Sequence, residues 1–112
     1  MVNRFEQQRE ETREKMRDGN GKVVMRYAAE GVQNCSLCAM ITMGPGDSIG
    51  KHDHTTNTEI YYILDGEFLA DDNGTMVTLH KGDTVVTGNG DFHSIKNATD
   101  KPATLLAVIV DA

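Results

Sequence analysis

The sequence predicts an all-β fold, a sandwich or small barrel of eight or nine short strands, and three observations predict it. From residue 22 onward, short runs rich in Val, Ile and Thr alternate with polar side chains. Turn signals built from Gly, Asp, Asn and Pro interrupt these runs every 8 to 12 residues. The chain is 112 residues long, enough for one hydrophobic core and too short for two.

Residues 4–17 are mostly Glu, Gln, Arg and Lys, with Phe5 and Met16 the only large apolar side chains, and they stop at Asp18-Gly19-Asn20-Gly21. Such residues favour a helix, and Asp-Gly-Asn-Gly ends one. A short surface helix or arm is therefore expected over residues 1–21, followed by one β domain over 22–112. Strands are expected at 22–28, 35–43, 48–54, 59–64, 67–70, 76–80, 84–87, 93–97 and 103–110. Gly44-Pro45-Gly46, Asp65-Gly66, Asn73-Gly74, Gly82-Asp83 and Gly88-Asn89-Gly90 separate several of them. Strands of this number suit a closed jelly roll, which removes exposed sheet edges.

Charge and composition exclude several classes. The net charge is −6, from 17 acidic and 11 basic residues, with no stripe of Lys and Arg to meet phosphates. Nucleic acid is not an expected partner. No apolar run approaches the roughly 20 residues of a membrane helix, and the first residues lack the apolar stretch of a signal peptide. A cytoplasmic protein without a membrane partner is expected. Cys35 and Cys38 stand as a lone Cys-x-x-Cys inside a strand-like segment; a spacing of three would point them to opposite faces, as reduced thiols.

The chemistry concentrates in the segment GKHDHTTNTEIYYILDG. His52 and His54 are two apart and share one face of a strand. Such a pair alone is more often an ordinary surface pair than a ligand pair. If residues 55–58 form a hairpin loop, His54 pairs with Glu59 and His52 with Tyr61, which brings the glutamate beside the imidazoles. Two imidazoles and a carboxylate on one sheet face can ligate a divalent metal. His93 follows a Gly-rich turn at the start of a later strand and is a fourth candidate. His80 precedes a turn and reads as an ordinary strand-end histidine.

These residues carry a resemblance. Gly46-x5-His52-x-His54-x4-Glu59-x6-Gly66 is similar to the first motif of the cupin superfamily. Gly82-x5-Gly88-x-Gly90-x2-His93-x3-Asn97 is similar to the second, with Gly88 where a proline is usual. The resemblance implies a cupin jelly-roll β-barrel of the small single-domain, RmlC-like kind. It also implies that His52, His54, Glu59 and His93 are ligands of one divalent metal inside the barrel. Mn or Fe is favoured, with Zn, Ni or Co compatible with a mixed N/O set.

By alternation Tyr61 and Ile63 should face inward with Glu59, and Ile95 and Asn97 with His93. Tyr61 is the candidate catalytic side chain, as a hydrogen-bond donor to bound ligand, and Phe92 is expected over the mouth. Either Leu37-Ala39-Ile41-Met43 or Cys38-Met40-Thr42 lines the cavity. Arg26 is the one strand arginine, and two roles are equally open to it: facing inward to hold a substrate carboxylate, or facing outward to solvent or an interface. The expected function is metal-dependent oxidation or decarboxylation of a small organic molecule, in a homodimer built partly from residues 1–30. Two rivals stand beside it: a non-catalytic metal-dependent sensor or binding module, and a metal-free sugar isomerase or epimerase.

Overall fold

The structure is a computed structural model that describes residues 1–111. Its strands are β1 (Glu10–Glu14), β2 (Lys22–Tyr27), β3 (Cys35–Met43), β4 (Ser48–Asp53) and β5 (Asn57–Asp65). There follow β6 (Glu67–Asp72), β7 (Thr75–His80), β8 (Thr84–Thr87), β9 (Phe92–Lys96) and β10 (Ala103–Asp111). All pairings are antiparallel, in a six-stranded sheet ordered β1-β2-β3-β10-β5-β8 and a four-stranded sheet ordered β4-β9-β6-β7. This is the jelly-roll arrangement expected, and each of the nine expected strands is present within two residues of its expected ends.

The two inner faces bury one core in which period-two alternation is plain. Val23, Met25 and Tyr27 of β2, Ala39, Ile41 and Met43 of β3, and Leu105 and Ala107 of β10 face inward. Ile49, Phe68, Ala70, Leu79 and Ile95 close the core from the smaller sheet. The choice left open in β3 is thus resolved: the row beginning at Leu37 lines the interior.

The N-terminal segment is not helical. Two 3-10 turns, Phe5–Gln7 and Met16–Asp18, flank β1, which pairs with β2 from Glu10↔Arg26 to Glu14↔Lys22. An isolated helix of about a dozen residues is marginal in water. Along the edge of β2 the same residues gain ladder hydrogen bonds and opposite-charge cross-strand pairs instead. Arg26 shows the exchange. It faces outward, bonds the Glu10 carboxylate at 2.6 Å and the Phe5 carbonyl at 2.9 Å, and lies over the Phe5 ring at 4.2 Å. It is a clamp for the arm, so of the two facings open to it the outward one is taken.

A bulge also corrects the cysteines. Leu37 pairs with Ile109 but Cys35 pairs with Val110, so Ser36 is the extra residue. Cys35 and Cys38 therefore oppose Val110 and Val108, two apart on β10, and fall on one face rather than two. Both thiols are free. No described helix is long and apolar enough to cross a membrane.

Candidate metal centre

His52, His54, Glu59 and His93 converge: one ligand atom from each lies within 4.8 Å of all the others. They arrive by a route other than the hairpin expected. β4 pairs with β9 in the smaller sheet, whereas β5 pairs with β10 and β8 in the larger one. His54 is thus no cross-strand partner of Glu59, nor His52 of Tyr61. Instead His52 pairs with His93 across β4 and β9, and Glu59 approaches from the opposite sheet beside its own partner Thr87. The short polar link after β4 lets the chain cross between sheets, a path that sequence alternation alone cannot reveal.

A second bulge aims His52. Ile49 pairs with Ile95 and His52 with His93, so β4 uses three steps where β9 uses two. The extra residue keeps both Ile49 and His52 pointing inward. Close backbone approach at this bulge requires glycine: a Cβ on Gly50 would lie 2.0 Å from the Arg17 carbonyl oxygen.

Each imidazole is tied at Nδ1. His52 Nδ1 lies 2.8 Å from the Gly50 carbonyl, His54 Nδ1 2.6 Å from Asn57 Oδ1, and His93 Nδ1 2.9 Å from Thr87 Oγ1. Donation to the Gly50 and Asn57 oxygens places the protons of His52 and His54 on Nδ1, and Thr87 Oγ1 can accept from His93 Nδ1 in the same way, which leaves three bare Nε2 lone pairs facing one another. The Nε2 of His93 is 2.9 Å from that of His52 and 3.1 Å from that of His54. Glu59 Oε1 sits 2.9 Å from His93 Nε2 and 3.1 Å from His54 Nε2, and it is buried without a hydrogen-bond partner. Four acceptors packed this closely, with no donor proton among them, fit a cation at their centre. Asn57, Thr87 and the Gly50 carbonyl orient the ligands; the sequence signal for them was only their closeness to ligand positions.

Protons are the alternative to a cation. In the cation-free cluster burial raises the Glu59 carboxyl, but hydrogen bonds from His52 and His93 whenever these take up a second proton, and the positive charge of His93 and His54, outweigh it, leaving a pKa of about 2. Burial pushes the His93 imidazolium down, against the pull of Glu59. The cluster therefore disfavours protons on His93 and keeps Glu59 ionised, which is the state a metal needs.

Tyr61 lies where expected, buried, with its ring stacked on His93 at 4.8 Å between centroids and 4° between planes. Burial, then the negative charge of Glu59, raises its hydroxyl well above 10, so it stays a proton donor. Ile63, Ile95 and Asn97 also face inward. Asn97 donates to the Met43 and Lys101 carbonyls and so ties β9 to the neighbouring turns rather than to the centre. Phe92 lines the pocket beside His52, with Lys51 over its ring at 4.1 Å. His80 is exposed and pairs with Glu67 at 2.9 Å, as a strand-end histidine should.

Comparison with known proteins agrees with this geometry. Residues 39–109 match the cupin domain family. An oxalate-binding protein of Thermotoga maritima is 41% identical over 98 residues, covering 85% of this chain and 81% of that protein. A crystal structure from Thermotoga maritima, described as a predicted oxalate decarboxylase, superposes with a TM-score of 0.94 at 36% identity over 100% of both chains. An RmlC-like cupin from Shewanella frigidimarina superposes with a TM-score of 0.74 over 99% of this chain and 90% of that one; at 18% identity it speaks to fold alone.

Proposed function

The chain belongs to the cupin domain family, and from that premise we propose that it binds one divalent cation on His52, His54, Glu59 and His93 and presents it to a small carboxylate such as oxalate. The observation that carries this reading is the orphaned, buried Glu59 Oε1 among three imidazole nitrogens whose protons are engaged elsewhere. Mn²⁺ and Fe²⁺ suit the mixed N/O set best, with Zn²⁺, Ni²⁺ and Co²⁺ as competitors. The oxalate-binding name of the Thermotoga maritima relative supports the ligand class.

The activity proposed is metal-dependent decarboxylation or oxygen-dependent oxidation of that carboxylate. A bound cation would act there as a Lewis acid toward the carboxylate oxygens. Tyr61, kept protonated by burial, is the proposed donor of a hydrogen bond to the ligand, and its stacking on His93 fixes the ring for that task. The same relative's name also favours a second reading, a module that binds without turnover.

Elemental analysis of untagged protein purified without chelator, beside a His52→Ala/His93→Ala variant, tests the centre. About one manganese or iron per chain, lost in the variant, is the expected result; no metal, or an unchanged amount in the variant, refutes it. Carbon dioxide release and oxygen uptake with oxalate then separate enzyme from binding module. We propose further that the chain works in the cytoplasm as a homodimer. The outer face of the larger sheet carries Met40, Ile60, Tyr62, Val86, Leu106 and Val108, half-buried or exposed, and sedimentation at micromolar concentration tests whether a second copy covers it.

A further inference from the structure

β4 is an edge strand: in the smaller sheet it has β9 on one side and no strand on the other. Its bulge loosens it further. Between the pairs Ile49↔Ile95 and His52↔His93, neither Gly50 nor Lys51 is paired with a residue of β9. Yet the Gly50 carbonyl lies 2.8 Å from His52 Nδ1, and a carbonyl can only accept. The proton position on His52 therefore hangs on a peptide unit that the sheet ladder does not hold.

The N-terminal arm holds it instead. The turn Met16–Asp18 and the residues just after it run along the open edge of β4. Ser48 N donates to the Asn20 carbonyl at 2.9 Å, and Asn20 N donates to Ser48 Oγ at 2.7 Å. Asn20 Nδ2 donates to the Gly46 carbonyl at 2.9 Å. At the bulge itself the two backbones touch. A Cβ on Gly50 would lie 2.0 Å from the Arg17 carbonyl oxygen and 3.0 Å from Gly19 N, and one on Gly19 would lie 2.9 Å from Gly50 N.

Neither glycine is there for its dihedral freedom. Gly19 has an extended backbone, at φ −73° and ψ −174°, and Gly50 is not at positive φ. What they share is a missing Cβ at the point of contact. The turn beside them is strained: Lys15, Arg17 and Asp18 have φ of 49°, 55° and 61°, left-handed values that a residue with a Cβ adopts only where its surroundings impose them. The docking onto β4 is what imposes them here.

We propose that this turn is a positioning element of the metal centre. Through the Gly19–Gly50 backbone contact it fixes the peptide whose carbonyl sets the tautomer and ring orientation of His52. This rests on the metal reading above. His54 and His93 take their Nδ1 partners from Asn57 and Thr87, on strands of the larger sheet, so the arm governs one imidazole of the three. The arm also stands outside residues 39–109, the segment that matches the cupin domain family, so the centre draws one of its supports from beyond that segment.

Gly19→Ala is the direct test, because alanine tolerates the Gly19 dihedrals and the new methyl meets only backbone atoms. The readouts are Mn²⁺ affinity by calorimetry, the imidazole nitrogen resonances of the chain in chelator, and hydrogen exchange at the Ser48 amide. The Ser48 amide should lose protection, and the His52 resonances should move toward a mixture of tautomers while those of His54 and His93 stay. Mn²⁺ affinity should fall at least tenfold, the scale on which removing such a support acts. Ser48→Ala, which only removes the hydroxyl that Asn20 N donates to, is the milder variant and should show the same His52-only change, with a severalfold loss. Arg17→Gly keeps the backbone contact and should leave both the His52 resonances and the affinity at wild type; a fall there would trace the effect to the guanidinium and overturn the backbone assignment. An exposed Ser48 amide with unmoved His52 resonances and an affinity within about twofold of wild type overturns the positioning role, and so do equal shifts at all three histidines. A Ser48 amide still protected in Gly19→Ala overturns the contact itself. Failure of wild type to bind Mn²⁺ refutes the metal reading, while the spectra in chelator still decide whether the turn sets His52.

Discussion

His52 and His93 are cross-strand partners whose Nε2 atoms lie 2.9 Å apart, each with Nδ1 turned to an oxygen. Two bare nitrogens at that distance repel unless something positive joins them. Fixing the tautomers from behind is therefore as much a part of the centre as the four ligand atoms.

The supports should be separable from the ligands. Asn57→Ala frees His54 Nδ1 and Thr87→Val frees His93 Nδ1, each without removing a ligand. Each change is expected to weaken Mn²⁺ binding about 10- to 100-fold while circular dichroism stays that of the wild type. Calorimetric titration measures both, and affinities equal to wild type would show that the tautomer is set elsewhere.

Glu59→Gln should act with opposite sign in two states. Without a cation, the buried carboxylate among three imidazoles is a liability, and a neutral amide can donate to a bare Nε2. The variant should melt no lower than wild type in chelator. With excess Mn²⁺ the order should reverse, because wild type gains binding energy of about 4 kcal/mol at a thousandfold excess over Kd and the variant gains little. Paired melting curves decide it.

The pH dependence follows from His93 and Glu59. Metal binding requires neutral His93, whose pKa burial holds below the usual 6.5. Affinity should be flat at higher pH and fall as pH drops through that lowered value, with Glu59 ionised to about pH 2 and contributing nothing to the fall. For the metal-free chain, stability drops as pH falls from about 6.5 toward the His93 value, where the unfolded chain binds the extra proton. A second loss runs from about 4.5 toward 2, where the unfolded chain's glutamate binds a proton that folded Glu59 refuses. Mn²⁺ titrations and urea unfolding from pH 8 to 3 test both; an affinity that does not change anywhere in that range contradicts the three-histidine centre.

Gly88 is the position where the second motif departs from its usual proline. A Cβ there would lie 2.5 Å from Thr58 Oγ1, next to Glu59 and Thr87. Gly88→Ala should cost about 1–3 kcal/mol of stability and weaken metal binding with it, since Thr58 cannot shift without moving its neighbour Glu59. Thr58→Ala/Gly88→Ala should recover much of the loss, because it removes the hydroxyl that the new Cβ would meet at 2.5 Å.

Residue types and their spacing made the four converging residues and the strands legible, because alternation, turn residues and motif spacing are local signals. His93 and Tyr61 were placed correctly for that reason. Three features were not legible. The pairing of β4 with β9 rather than β5 depends on where distant strands settle. The bulges at Ser36 and near Gly50 change face without changing composition, and they reversed the reading of Cys35 and Cys38. The arm, rich in helix-forming residues, became β1 because an open sheet edge and Arg26 rewarded extension.

The ligands are divided between the sheets: His52 and His93 on strands of the smaller one, Glu59 on the larger. An ion held by both layers is a fastener across the interior of the sandwich. Neither layer alone offers a complete coordination sphere, and β4 and β9 are separated in the chain by strands of both. The centre can assemble only after long-range pairing is done, so the cation arrives late and cannot seed the fold. By the same logic, its release would require ligand atoms from both layers to let go together.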